Sequence, residues 1–175
     1  MAVRCRVRAA FATVRRNGED APALRAGRST MLRSAFLWIH VVCGSLWVAV
    51  SLSFVLAAGA STGEERAGFA ARVAPRLNRL NLAAIMLLPL TGIANLFYVA
   101  LTRHFSLPMA FVEVLGAKLL LLCGMAAALA IAWGAAESLG SGVGGGERRL
   151  LWLYGAMAAM GAVALMLGLW LAGSA

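Results

Sequence analysis

Four long apolar runs dominate this chain of 175 residues and constrain its fold more than any other feature. Each run is longer than the ~20 residues that an α-helix needs to cross a hydrocarbon layer ~30 Å thick. Successive spans run in opposite directions through the membrane. We therefore predict an all-α integral membrane protein, an antiparallel bundle of four transmembrane helices, with spans at about residues 35–58, 80–101, 108–136 and 150–172.

The composition agrees with a membrane protein and leaves no room for a separate soluble domain. Hydrophobic residues make up 62% of the chain and charged residues 13%. A soluble globular domain is about 45–50% apolar and about 25% charged. Most of the chain outside the four runs lies in one N-terminal tail and one loop, so the domain of interest is the membrane bundle at about residues 34–173.

The net charge of +9 is predicted to reflect membrane topology and not nucleic-acid binding. The basic residues lie mostly in the tail, in loops and at the ends of the spans, which is the usual topogenic pattern. They are not interleaved with aromatic residues as in a groove that binds single strands. The expected partner is the lipid bilayer, and no nucleic acid.

The Arg-rich tail, residues 1–33, is predicted to be disordered, and an alternative is that translation begins at Met31. The choice affects topology, because the side with more basic residues normally faces the cytoplasm. With the tail counted, the N-terminal side is the more basic one. Without it the other side is, so the sequence leaves both orientations open.

A small set of polar side chains lies within the spans, and it forms the candidate site. An ionisable group in hydrocarbon is costly, so its presence is a functional hypothesis by default. Because successive spans alternate in direction, His40, Asn95 and Lys118 fall in the same leaflet, with Glu113 near the start of the third span. The other leaflet is predicted to be almost entirely apolar. Cofactor binding is therefore predicted at His40, Asn95 and Lys118.

One helical stripe of the first span supports this site. His40, Gly44, Trp47 and Ser51 recur at i, i+4, i+7 and i+11. Cys43 lies on the adjacent edge, so His40 and Cys43 are the candidate metal ligands. The alternative is a structural His40 that bonds Asn95 or a carbonyl group and holds two helices together.

Lys118 is the second key residue, because it lies too deep in the third span to reach the interface easily. It needs a partner within the membrane. The expected partners are a ligand carboxylate, Asn95 or a carbonyl group on another helix.

Short motifs in the first three spans resemble those of two related families of membrane proteins. The segments are Trp38–Trp47 with His40, Leu90–Asn95 with its Leu-Thr-Gly, and Gly116–Leu122 with Lys118. They are similar to the corresponding helices of copper resistance protein D-like membrane domains. The same His and Lys occur in HemJ-type protoporphyrinogen oxidases.

The resemblance implies several functional expectations. The copper family implies copper handling in a multi-pass protein of the bacterial inner membrane. The HemJ type implies bound haem b and a catalytic role for His40 and Lys118. Residues 148–154 lack the Asn-Glu-x-Pro-like element of the HemJ fourth helix, which favours a protein that is not an enzyme.

Three functional hypotheses follow from these features. The first is a copper resistance D-like protein that binds haem b or copper at the His, Asn and Lys cluster. The second is a HemJ-like oxidase of porphyrinogens that uses the same His and Lys. The third is a structural or accessory subunit without catalysis, within a homo-oligomer or a membrane complex.

Overall fold

A computed structural model describes residues 31–32, 34–102, 104, 108–140 and 146–173. This described part is all-helical and holds no strand, which confirms the predicted fold class. Its four helices pack against one another, and each is long and apolar enough to cross a membrane. They are α1 Ser34–Ala60, α2 Gly63–Thr102, α3 Met109–Gly140 and α4 Gly146–Gly173. Most of the Arg-rich tail lies outside the described residues.

A tight turn joins α1 to α2, and an arginine from α2 closes it. Only residues 61–62 separate the two helices, and Gly63 takes a positive φ of 53°. The last carbonyl groups of an α-helix have no partner within it. The Nε of Arg66 donates to the Ala58 and Ser61 carbonyl oxygens, at 2.9 Å each. Arg66 therefore caps α1 with a positive charge, which the negative end of a helix dipole favours.

Helix α2 begins well before the apolar run that predicted it. Its 40 residues span about 60 Å at 1.5 Å per residue, about twice the thickness of a hydrocarbon layer. In its first half, Ala70 and Ala74 are fully buried against the bundle. Arg72, Arg76 and Arg79 are exposed, at spacings that put them on one face. The stretch between the first two predicted spans is therefore helical and packed.

The packed core lies towards the end of the bundle that holds the α1–α2 turn, hereafter the turn end. Trp47, Phe54 and Tyr154 are its largest buried side chains. The Phe54 and Tyr154 rings are stacked with centroids 4.2 Å apart, and Phe54 also meets Phe69 at 6.0 Å. At the opposite end, hereafter the His40 end, residues 34–39 of α1 are all exposed. The candidate site thus lies in the less tightly covered half of the bundle.

Candidate functional site

The His40 ring is anchored to α2 by Thr91. The His40 Nδ1 and Thr91 Oγ1 atoms lie 2.9 Å apart. The Thr91 hydroxyl lies 2.8 Å from the Leu87 carbonyl oxygen and 3.1 Å from that of Leu88, so its single proton is directed to its own helix. The Thr91 oxygen then accepts from the His40 Nδ1–H. The ring also makes a hydrogen bond with the Leu88 backbone, so two contacts with α2 orient the imidazole.

Two glycines on neighbouring helices make room for the two ionisable side chains. A Cβ atom on Gly92 of α2 would lie 3.3 Å from the His40 Cε1. A Cβ atom on Gly168 of α4 would lie 2.9 Å from the Lys118 Nζ and displace the ammonium group. The Lys118 side chain thus extends from α3 to α4, and both groups lie directly on a helix backbone.

Lys118 is the only lysine of the chain and it is partly buried within the bundle. It lies close enough to the His40 ring for the two side chains, on α1 and α3, to interact electrostatically. Within the described residues Lys118 has no hydrogen-bond or ion-pair partner. The expected alternatives of Asn95 or a carbonyl group are therefore not seen there. Glu113, the acidic residue nearest in sequence, is exposed.

Asn95 does not bond His40, which was one alternative for a structural role of that histidine. Asn95 lies one turn beyond Thr91, about 6 Å further along α2. His40 bonds Thr91, and the Nδ2 of Asn95 is buried without a partner in the described structure. Asn95 therefore offers a free donor near the site but does not hold His40.

Cys43 is buried on α1, one turn from His40. Among the described residues, no group of three or more His, Cys, Asp or Glu side chains could hold a metal ion. A metal ion on His40 and Cys43 would thus have no third ligand of these types in that part of the chain. The pair alone does not form a closed protein site for copper.

Sequence reasoning missed a second set of polar side chains, in the half predicted to be almost entirely apolar. Ser51, Asn78 and Asn81 are buried there beside Tyr154, so that expectation is wrong. A usable signal existed, because Ser51 continues the His40 stripe and the two asparagines are three residues apart on one face. The neighbouring arginines made the segment resemble a loop.

Replacing Thr91 by valine is expected to change the protonated nitrogen of His40. Valine keeps the shape of threonine but accepts no hydrogen bond, so the ring keeps only its contact with the Leu88 backbone and the preference for Nδ1–H weakens. The ¹⁵N shifts of the His40 ring should report mainly Nδ1–H in the native protein and a mixture in the variant. Thr102→Val is the control, because the Thr102 hydroxyl is exposed and bonds only its own helix. Unchanged His40 shifts in Thr91→Val would contradict this assignment.

Comparison with known proteins adds no relative. No family model, no curated protein and no solved structure matches the chain. What the protein does is therefore inferred from its own residues.

Proposed function

We propose that this protein is a copper resistance D-like membrane protein of the bacterial inner membrane that binds a haem-type ligand at its His40 end. The observation that carries the proposal is the convergence of His40 and Lys118. Both lie within apolar helices, and the described residues offer the lysine no anionic partner. Ionisable groups in such positions typically mark functional sites.

The charges favour a haem-type ligand over a bare copper ion. A copper ion at His40 would be repelled by the nearby Lys118 ammonium group. A haem brings its iron together with two carboxylates, so the same ammonium group attracts it. Iron in haem also needs only one or two protein ligands, and a histidine nitrogen is the commonest of them.

The side chains present fit such a group. The Nε2 of His40 would hold the iron, and Lys118 would pair with one carboxylate. The buried Nδ2 of Asn95, which has no partner in the described structure, would donate to the other. Bound in this way, the group would supply one-electron redox chemistry within the membrane.

Absorption spectroscopy of the detergent-solubilised protein tests this proposal. Titration with haemin is expected to give a Soret band that His40→Ala weakens, with a dissociation constant at least about tenfold higher, because a direct iron ligand is lost. His104→Ala is the matched control, since His104 is the only other histidine and is exposed in a turn. Absence of a Soret band, or equal effects of the two variants, would refute the proposal.

A companion measurement isolates the role of Lys118. Haemin dimethyl ester carries no carboxylate, so the native protein should bind it about tenfold more weakly than haemin, or about 1.4 kcal/mol. Lys118→Met should lose most of this discrimination, because only the neutral amide of Asn95 would remain to distinguish a carboxylate from its ester. An undiminished discrimination in Lys118→Met would show that Lys118 does not bind a carboxylate.

A second candidate is a HemJ-like oxidase of porphyrinogens, which the same proximity of His40 and Lys118 favours. A free imidazole nitrogen can accept a proton, and a nearby cation can bind the carboxylates of the substrate. Formation of fluorescent porphyrin from an added porphyrinogen, with an electron acceptor present, would identify the enzyme. A protein that binds neither haem nor copper, and is as stable with Lys118→Met, would instead be a structural or accessory subunit.

A further inference from the structure

The core of the bundle contains a second polar cluster, which the haem proposal does not use. It consists of Ser51 on α1, Asn78 and Asn81 on α2 and Tyr154 on α4, none of them more than 1% exposed. The Tyr154 hydroxyl donates to the Oδ1 of Asn78 at 2.7 Å. Four other atoms are buried without a partner in the described structure: Ser51 Oγ, Asn78 Nδ2, Asn81 Nδ2 and Asn81 Oδ1.

Helix geometry puts Ser51 and Asn81 at the same depth. Because His40 bonds Thr91, these two residues mark a common level of α1 and α2. Ser51 lies about 16 Å along α1 from His40, and Asn81 about 15 Å along α2 from Thr91, both towards the turn end. The two helices are antiparallel, so the two side chains come to the same level.

The aromatic contacts give the same register independently. Phe54, one turn beyond Ser51 on α1, stacks on Tyr154. Asn78, one turn before Asn81 on α2, accepts the hydroxyl of that tyrosine. The four polar side chains are therefore all buried at one level of the bundle, on α1, α2 and α4.

The unpartnered atoms define the chemistry of what fits between them. Each amide nitrogen has two hydrogens to donate, the Asn81 Oδ1 accepts, and the Ser51 hydroxyl does both. A cation would face amide hydrogens. An anion would find no charged side chain among the buried polar residues of the described structure, which are Ser51, Asn78, Asn81 and Thr91. Only an uncharged molecule that both donates and accepts hydrogen bonds satisfies all four unpartnered atoms.

We propose that this cluster is a hydrated site that holds ordered water molecules in the core of the bundle. Buried polar groups in proteins are normally paired, and water is the usual partner where no protein group reaches them. In a bilayer the need is greater, because lipid offers no hydrogen bonds. The site lies about 15 Å from Thr91 along α2, so none of its side chains contacts a ligand held by His40.

The thermal stability of Asn81→Leu in detergent distinguishes a hydrated site from a dry one. Leucine has the same branching at Cγ but carries two methyl groups in place of the amide oxygen and nitrogen. If water satisfies Asn81, the substitution removes favourable hydrogen bonds and the Tm should fall by about 2–4 °C. If the amide is truly unpaired, removing it should raise the Tm, and that result would overturn the proposal.

Thiol reactivity gives a positive readout of water in the core. In a background without Cys5, Cys43 and Cys123, Ser51→Cys is compared with Ala132→Cys, which is also fully buried but in the apolar core cluster. The thiolate attacks a small methanethiosulfonate reagent and displaces methanesulfinate to form a disulfide, and the thiolate forms readily only where water reaches it. We expect Ser51→Cys to react at least about tenfold faster. Equal rates would overturn the proposal even where Asn81→Leu alters folding.

Discussion

Replacing Trp47 by alanine should destabilise the bundle by about 3 kcal/mol. The Trp47 side chain is fully buried, and its Nε1 donates to the Met157 carbonyl oxygen at 3.3 Å. In a bilayer the lipid is as apolar as the side chain, so transfer from water contributes little to this loss. The loss comes instead from the cavity, the missing dispersion contacts and the missing hydrogen bond.

Unfolding in mixed micelles with increasing SDS content measures this change against a matched control. Trp152 on α4 is 82% exposed, so Trp152→Ala removes the same ring without opening a cavity. We expect the control to stay within about 0.5 kcal/mol of the native protein. Comparable losses in the two variants would show that Trp47 is not a packing residue of the core.

Replacing Gly161 by alanine should destabilise the bundle by about 1–3 kcal/mol, although alanine is the better helix former. A Cβ atom at this position would lie 2.7 Å from the Val48 Cγ2 and 3.1 Å from the Trp47 Cδ1. Alanine would therefore push α4 away from α1 or move both side chains. The same unfolding titration measures the loss.

Gly155 on the same helix provides the opposite expectation. Nothing lies within 4 Å of a Cβ atom built there. Gly155→Ala should therefore gain up to about 1 kcal/mol from helix propensity alone. The cost of Gly161→Ala should also shrink in a Trp47→Ala background, because the two sites are in contact. Two alanine variants with the same sign would contradict the close approach of α1 and α4.

The sequence predicted the four helices because each contains an apolar run long enough for a membrane span. It did not predict that α2 begins at Gly63, because exposed arginines interrupt the apolar pattern of its first half. A hydropathy profile detects only the part of a helix that is apolar enough to contact lipid, and it misses a polar extension of the same helix. The burial of Ala70 and Ala74 does not show in the mean hydropathy of this stretch, because the nearby arginines lower that mean.

The sequence predicted the depth of the site in the membrane but not the contacts between its side chains. Alternating span directions predict that His40 and Lys118 lie at a similar depth, and in the structure His40 lies against Gly92 and Lys118 against Gly168. Spacing along a helix leaves the rotation of neighbouring helices undetermined, and Thr91 and Asn95 are only one turn apart. Tertiary packing therefore decided that Thr91, and not Asn95, bonds His40.

The unbroken course of α2 links the two polar regions mechanically. One helix carries Asn78 and Asn81 in the core and Thr91 beside His40, and it stays helical through Pro75 and Pro89. A rotation of α2 about its axis would turn Thr91 away from His40 and both asparagines away from their neighbours in the same movement. The orientation of His40 and the hydration of the core therefore both depend on the position of α2, and a movement of that helix changes the two together.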